Sequence, residues 1–271
     1  MIYMHENNYK NKIKINYPNS RKIGIGKEIE QFYMQVYKKY RNEIEQLDFQ
    51  TEDIAVFKKA TELMDEYLIK VEEFSDRMGI SSQSKFRSTF IEEISTYLFK
   101  DIELVQKGIF GIYNKKIFAG MKINNKMHID VIPKDVDFCI GKEVLIKIDD
   151  DTQKIKVIIP IVCVEAKTYL DATMFGEVQY SSQQIKNASP NAKTYVLMEY
   201  NDVAKEKIIS ARYDNNLNEM FVLRGGTRKE NISKNPMNPE VLLDYYKEIK
   251  KAIESTKFED TVITPGRLLK V

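Results

Sequence analysis

The amino-acid sequence predicts an α/β fold, in which a central mixed β-sheet is flanked by helices and preceded by a helical amino-terminal section. Before Lys107 apolar residues recur at helical spacing, whereas after it the chain breaks into short segments rich in Ile, Val, Phe and Tyr. No repeat and no Gly/Ser/Pro linker is apparent. We therefore expect one domain over residues 1–271, with a helical section at 1–80, a core at 81–200 and a final section of sheet and helix at 201–271.

Three helices are expected in the first part of the chain. They cover Lys27 to Leu47, Thr51 to Met78 and about Ser84 to Asp101. The first two should pack against each other as a hairpin. The third has the clearest pattern, because its large apolar side chains share one face: Phe86, Phe90, Ile94, Tyr97 and Leu98.

The strands are expected in the second part of the chain. They are Ile117 to Ile123, Val131 to Ile140, Val144 to Ile148, Ile155 to Lys167, Thr194 to Glu199 and Met220 to Leu223. A helix from Asp171 to Asn187 lies between two of these strands, with Asp171 as its expected cap. A closing helix is expected from Val241 to Ser255.

The composition is that of an ordinary globular protein, with 43% apolar and 30% charged residues. No apolar run approaches the roughly 20 residues that a membrane-spanning helix needs. The first residues are rich in Asn, Lys and Tyr and lack the apolar core of a secretion signal. A cytoplasmic protein is the simplest interpretation.

The residue counts disfavour several kinds of chemistry. Cys139 and Cys163 lie in apolar segments, as buried free thiols do, which disfavours a disulfide framework. His5 and His128 have no companion at a metal-binding or catalytic spacing, which disfavours zinc enzymes and Ser-His-Asp hydrolases. The net charge of +2, from 42 basic and 40 acidic residues, does not by itself indicate a polyanionic partner. The remaining chemistry rests on carboxylates and lysine.

Two strand-like segments combine apolar residues with charges. Asp135 and Asp137 lie in one of them, and Glu165 and Lys167 end the other, which is otherwise almost wholly apolar. Because side chains alternate along a strand, each of these pairs shares one face. Charges in such company are paired, metal-bound or exposed at the strand tip. A solvated strand end with a weak salt bridge is the alternative for Glu165 and Lys167.

These segments resemble the PD-(D/E)XK nuclease superfamily, in which an Asp on one strand is followed by Glu-x-Lys at the end of the next. Here the elements are Asp137 and Glu165-Ala166-Lys167. The proline expected beside the Asp is four positions away, at Pro133. Longer blocks resemble type II restriction endonucleases of the DdeI and BbvCI-like group: Ser84 to Glu93, Asp135 to Phe138 and Glu165 to Glu177.

The resemblance implies a restriction endonuclease-like core and a magnesium-dependent active site. Asp137 and Glu165 would supply oxygen ligands for Mg²⁺, and the Ala166 carbonyl could add a third. Lys167 would orient or activate the attacking water and steady the phosphate. Asp137, Glu165 and Lys167 are therefore the expected catalytic residues.

The resemblance also implies a glutamate on the third helix. With the apolar face centred near Phe90, Glu93 borders the packed face and Glu92 points to solvent. We therefore assign the family's helix glutamate to Glu93 as a fourth catalytic residue, with Glu92 as the alternative. Both could instead be solvated helix residues.

The candidates for DNA contact are basic and amide side chains. They are Lys85, Arg87, Gln184, Arg224, Arg228, Lys229 and Asn231. The last four belong to a Gly-containing polar loop, for which simple solvation is the alternative. The basic stretch from Lys10 to Lys22 could be an arm along DNA or a disordered tail.

The expected function is that of a type II restriction endonuclease, with Mg²⁺-dependent, sequence-specific hydrolysis of double-stranded DNA. Cutting both strands takes two active sites, so we expect a homodimer or a heterodimer with a related subunit, and a cognate DNA methyltransferase in the same system. One alternative is a structure-specific or anti-phage nuclease of the same fold. Another is a non-catalytic DNA-binding partner subunit, against which the intact Asp137, Glu165 and Lys167 argue.

Overall fold

The computed structural model of the protein contains a five-stranded mixed sheet and a separate two-stranded hairpin. The strands are β1 (Gly111–Tyr113), β2 (Ile117–Ile123), β3 (Ile129–Lys134), β4 (Phe138–Ile148), β5 (Gln153–Leu170), β6 (Lys193–Asn201) and β7 (Glu219–Val222). The large sheet has the order β1-β4-β5-β6-β7, and β2 pairs with β3. β5 is antiparallel to β4 and parallel to β6, which makes the sheet mixed. The structure describes residues 3–81, 84–114, 116–126, 128–148, 153–211, 216–227 and 232–255.

The α-helices of the described ranges flank this sheet. They are α1 (Met4–Lys14), α2 (Gly26–Phe32), α3 (Lys38–Ile44), α4 (Ile54–Met78), α5 (Ser88–Phe99), α6 (Glu103–Gln106), α7 (Ala172–Ala188), α8 (Lys205–Ala211) and α9 (Pro239–Glu254). A π-helical turn, Tyr33–Tyr37, joins α2 to α3. Within the described residues we find no helix with both the length and the apolar character needed to cross a bilayer.

Side-chain caps fix the starts of three of the longer helices. Asp53 accepts a hydrogen bond from Ala55 N–H at the start of α4. Asp171 accepts from two backbone N–H groups at the start of α7, as predicted from the sequence. Asn238 does the same for α9. These caps satisfy N–H groups that have no partner within the helix.

The central strand β5 is covered on both faces. Val162, Val164 and Ala166 point into the largest apolar core, which includes side chains of α5 and α9. Cys163 points the other way and packs with Ile185 of α7. A strand buried on both faces reads as a continuous apolar run, which explains the sequence before Glu165.

The predicted α/β architecture is confirmed, and most predicted helices and strands are found within a few residues of their expected bounds. The predicted strand from Val131 to Ile140 is wrong, because the chain leaves β3 at Lys134 and enters β4 at Phe138. Asp137 therefore lies immediately before a strand and not within one. The helices α1, α6 and α8 and the strand β1 were not predicted.

Gly141 falls between the predicted strands Val131 to Ile140 and Val144 to Ile148, but it lies inside β4. The register between β4 and β5 shifts at Ile140/Gly141, which marks a bulge. A Cβ on Gly141 would lie 2.5 Å from the Ile159 carbonyl oxygen. The glycine is therefore required by the close approach of two backbones.

Candidate active site

The site lies where the start of β4 meets the far end of β5. Because these strands are antiparallel, Phe138 is opposite Val164, and Asp137 stands beside the last residues of β5. Glu165 and Lys167 share the face of β5 that packs towards α7, and Ser181 Oγ donates to Glu165 Oε1 at 3.3 Å. The antiparallel pairing of β4 and β5 thus brings three of the four predicted catalytic residues, Asp137, Glu165 and Lys167, together.

Lys167 lies between the two carboxylates. Its Nζ is 3.4 Å from Asp137 Oδ2 and 3.1 Å from Glu165 Oε2. Asp137 Oδ2 also accepts a hydrogen bond of 2.9 Å from Ala166 N–H. The side chains are only partly exposed, at 27% for Asp137, 17% for Glu165 and 28% for Lys167. All three are held by backbone or neighbouring side chains and still reach solvent.

The electrostatics of the site are those of two anions with one cation. Burial and repulsion from the Asp137 carboxylate raise the pKa of Glu165, while Lys167 acts in the opposite direction. Burial disfavours the charged form of Lys167, but Asp137 and Glu165 outweigh it and raise the pKa of its ammonium group. Lys167 therefore stays charged, and the carboxylate pair favours a further cation nearby.

The backbone of Ala166 also faces Asp137. In an extended strand the N–H and C=O of one residue point to the same edge, and Ala166 N–H bonds to Asp137. Its carbonyl is therefore directed to the Asp137 side of β5. Two carboxylates and a carbonyl fit a hard divalent cation whose other ligands are water. No group of three or more His, Cys, Asp or Glu side chains is placed to hold a metal in the ranges described.

The assignment of the helix glutamate to Glu93 is corrected by the structure. Glu93 is fully buried on the other side of α5, where it accepts hydrogen bonds from His5 N–H at 2.8 Å and Glu6 N–H at 3.1 Å. Tyr37 and Tyr97 hydroxyls donate to its other oxygen. The helical phase predicted correctly that Glu93 borders the packed face of α5. That face packs against the amino-terminal helices, however, and does not border Asp137.

Glu92, the alternative, is the carboxylate of α5 that borders the site. It lines a cleft of about 410 Å³ enclosed by α1, the residues around the start of α5 and the segment from Asp135 to Asp137, hereafter the Asp137 cleft. Glu92 is half-buried there. The cleft has the volume of a nucleotide-sized ligand and opens beside Asp137.

The predicted DNA contacts have different outcomes. Lys85 is exposed on the Asp137 cleft, and Gln184 is half-buried on α7, three residues after Ser181. The prediction for Arg87 is wrong for this structure, because its Nη2 lies 2.8 Å from the buried Glu199 Oε2 and it also pairs with Glu72. The remaining predicted contacts in the polar loop, Arg228, Lys229 and Asn231, fall outside the described residues.

Arg224, at the start of the same loop, is also corrected. Its side chain is buried, with Nε 2.9 Å from Glu199 Oε2 and Nη2 2.6 Å from Asp65 Oδ1. Nη1 donates to the Asn235 carbonyl at 2.8 Å. A guanidinium with these partners belongs to the interior of the folded protein, which does not fit the predicted DNA contact.

Sequence reasoning missed the contribution of α1 to the site. Met4, Asn7, Asn8 and Asn11 of this helix line the Asp137 cleft. Their spacing of three and four residues was visible in the sequence, but the segment has few apolar residues to suggest a helix. The stretch that was considered a basic arm or tail begins as an ordered helix.

Comparison with known proteins identifies a family and a similar fold. The family model for the Bpu10I restriction endonuclease matches residues 83–264 of this chain. A solved structure described as the native BbvCI A2B2 tetramer at low resolution is similar in fold, with a TM-score of 0.75 and 18% sequence identity over 96% of this chain and 99% of that one. No curated protein matches by sequence. The resemblance to type II restriction endonucleases is thereby confirmed, and the chain belongs to the Bpu10I restriction endonuclease family of site-specific deoxyribonucleases.

Proposed function

We propose that this chain hydrolyses phosphodiester bonds of double-stranded DNA at a specific sequence, with Mg²⁺ as its metal. The observation that carries the proposal is the meeting of Asp137, Glu165 and Lys167 at one end of the sheet, beside an open cleft. Two carboxylates that share one ammonium group keep an excess of negative charge, which favours the binding of a further cation. Their oxygens are the kind that Mg²⁺ prefers.

Asp137 and Glu165 would hold the metal, with the Ala166 carbonyl as a third protein ligand. Bound Mg²⁺ supplies Lewis-acid chemistry: it polarises a phosphoryl oxygen and lowers the pKa of water. Lys167 donates hydrogen bonds to both carboxylates in this structure, and from this position it would donate to the attacking water and to the phosphate. Its positive charge stabilises the negative charge that grows on phosphate during attack.

Glu92 takes the place that the sequence assigned to Glu93. It lies on the wall of the Asp137 cleft, from which a carboxylate can bind the metal's water ligands. Lys85 on the same cleft, together with Gln184, Arg228, Lys229 and Asn231, remains our proposal for DNA contact. Basic groups there would fix the phosphate backbone, while amides can read base edges.

Double-strand cleavage needs two active sites, so we propose that the chain acts with a second copy of itself or with a related subunit. The BbvCI structure is described as containing two kinds of chain, two copies of each. A methyltransferase that protects the same sequence in the host would complete the system.

The test is cleavage of unmethylated, bacteriophage-sized DNA by the purified protein with Mg²⁺. The wild type should give discrete bands, and a chelator or Lys167→Ala should abolish them. Lys142→Ala is the matched control, because Lys142 is exposed on the neighbouring strand β4 outside the site. Sequencing of the ends would define the recognition sequence.

Each other outcome has a defined meaning. Equal activity of the wild type and Lys167→Ala would contradict the assigned site. A smear in place of bands would contradict sequence specificity and favour a nuclease that selects DNA structure. Nicking of one strand at one sequence would support the chemistry and show that a related subunit must cut the other strand.

A further inference from the structure

One face of α1 forms a wall of the Asp137 cleft. Met4, Asn7, Asn8 and Asn11 all line it, opposite the segment that ends in Asp137. Residues at these spacings lie on one side of a helix. A row of three amide side chains therefore stands beside the point where the proposed function places the scissile phosphate.

The opposite face of α1 holds the helix rigidly in place. His5 is fully buried, with Nδ1 2.9 Å from Thr89 Oγ1 and Nε2 2.7 Å from the Tyr67 hydroxyl. Tyr9, one turn further on, is buried and hydrogen-bonded to the same Tyr67. A side chain on the cleft face of such a helix is presented in a fixed position.

Glu93 completes this anchoring. Tyr3, at the N-cap position of α1, provides no side-chain cap. The Glu93 carboxylate accepts from the N–H groups of His5 and Glu6 instead, which would otherwise be unsatisfied at the helix start. Glu93 is thus a positioning residue for α1.

The three asparagines differ in what they do within the protein. Asn8 Nδ2 donates to the Lys85 carbonyl at 2.7 Å and to Thr89 Oγ1 at 3.1 Å, so it joins α1 to the chain before α5. Asn7 and Asn11 are exposed, and within the described ranges their side chains form no hydrogen bond. Asparagine has a lower helix propensity than alanine, so alanine at the positions of Asn7 and Asn11 would stabilise the helix more.

The chemistry of this face matches base edges better than phosphates. An asparagine amide offers one donor group and one acceptor and can pair with adenine through N6 and N7. A phosphate only accepts hydrogen bonds, so it would use the donor group of the asparagine amide and leave the acceptor without a partner. Lys14, three residues after Asn11 and exposed, continues the same side of the helix and suits the adjoining backbone.

We propose that Asn7 and Asn11 contact base edges next to the scissile phosphodiester and determine part of the recognition sequence, with A·T pairs as their preferred partners. This inference rests on the proposed function, since it needs DNA in the Asp137 cleft. The helix lies outside the part of the chain that the family model matches, so the contact would belong to this chain's own specificity.

The test compares the double variant Asn7→Ala/Asn11→Ala with Asn42→Ala. Asn42 is an exposed asparagine of α3 that does not line the cleft. Both sites are exposed in helices, where Ala is the better helix former, so the variants should fold. Each variant is made in the Lys167→Ala background, so that DNA is bound but not cut. The measurement is a discrimination ratio: the affinity for the mapped recognition sequence divided by the affinity for the same duplex with one A·T pair near the cut changed.

We expect the double variant to lose discrimination about 10-fold or more at one or more of these pairs. Asn42→Ala should keep the discrimination of its background. In the active background, sequencing of cut ends should show a relaxed sequence at those positions. An unchanged discrimination ratio would overturn the inference, even if cleavage became slower. Failure of the proposed function is a separate result, in which the wild type and Lys167→Ala give the same DNA products.

Discussion

The carboxylates of Asp137 and Glu165 and the carboxylate of Glu93 lie in opposite electrostatic surroundings. Glu93 is fully buried and accepts four hydrogen bonds, two from backbone N–H groups and two from tyrosine hydroxyls. Asp137 and Glu165 are partly exposed, lie near each other and share one ammonium group. A carboxylate has about four acceptor positions, so those of Glu93 are already occupied.

The difference separates a structural carboxylate from one that is available to a ligand. Burial alone does not do so, because Glu165 is also largely buried and burial raises the pKa of both groups. The distinction is whether the donors around the carboxylate are complete. Glu93 and Glu92 are neighbours in sequence, yet only Glu92 borders the cleft.

Removal of the Asp137 charge should have the largest effect and act on cleavage alone. In Asp137→Asn the amide oxygen can still accept from Ala166 N–H, but the proposed metal ligand is lost, and we expect cleavage to slow about 1000-fold or more. The measurement is the single-turnover cleavage rate. Asp135→Asn is the control: Asp135 lines the same cleft but bonds to Lys116 N–H, and we expect less than a 10-fold loss. Equal losses in both variants would contradict the comparison.

The meeting of Asp137, Glu165 and Lys167 at one end of the sheet could be predicted, because it depends on strand alternation and on the pairing of neighbouring strands. Strand alternation places Glu165 and Lys167 on one face, and a hairpin between two strands brings Asp137 beside them. The apolar run before Glu165 follows from a strand covered on both faces. The pattern therefore specified both the fold class and the three residues that meet.

The buried polar clusters could not be predicted, because their partners are distant in sequence. Arg224 lies beside two glycines in a polar stretch and looked like a DNA contact, yet it pairs with Asp65 and Glu199. α1 was missed for the same reason, since the residues it buries include His5 and Glu6. Their burial is compensated by groups that only the folded chain brings together.

Arg224→Ala should have the largest effect on stability. It leaves Glu199 and Asp65 as buried carboxylates without this partner, and loss of one member of a buried ion pair costs about 3 to 5 kcal/mol. The check is the free energy of unfolding in urea. Arg21→Ala, at an exposed arginine, should change it by less than about 0.5 kcal/mol. If Arg224→Ala folds stably but weakens DNA binding and its salt dependence, the original assignment to DNA contact would be restored.

Glu93→Ala and Glu92→Ala test the comparison at adjacent positions. Removal of Glu93 leaves four buried donors without their acceptor, and we expect the free energy of unfolding to fall by about 3 kcal/mol. Glu92→Ala should cost less than about 1 kcal/mol and should instead slow cleavage. Urea unfolding and the single-turnover rate, measured on both variants, decide between them. A Glu93→Ala protein of normal stability with no cleavage would return Glu93 to the active site.

The smallest effect should appear as a pH dependence of stability at His5. Burial lowers the pKa of His5 to about 3, so the folded protein keeps it neutral while the unfolded chain takes up a proton below its usual pKa of about 6.5. His5 therefore makes the fold less stable as the pH falls from about 6.5 towards 3. Burial raises the pKa of nearby Glu93 to about 7, which has the opposite sign: that contribution is present below the unfolded pKa and is lost as the pH rises through 7.

A comparison of the wild type with His5→Gln isolates the histidine, because Glu93 is present in both proteins and its contribution cancels in the difference. We expect the stability of the wild type relative to His5→Gln to fall by about 2 kcal/mol between pH 7.5 and pH 5. Urea unfolding at a series of pH values measures this difference. A constant difference over that range would mean that the pKa of His5 is the same in the folded and unfolded states. The side chains of His5, Thr89 and Tyr67 would then be open to solvent, as the Asp137 cleft is.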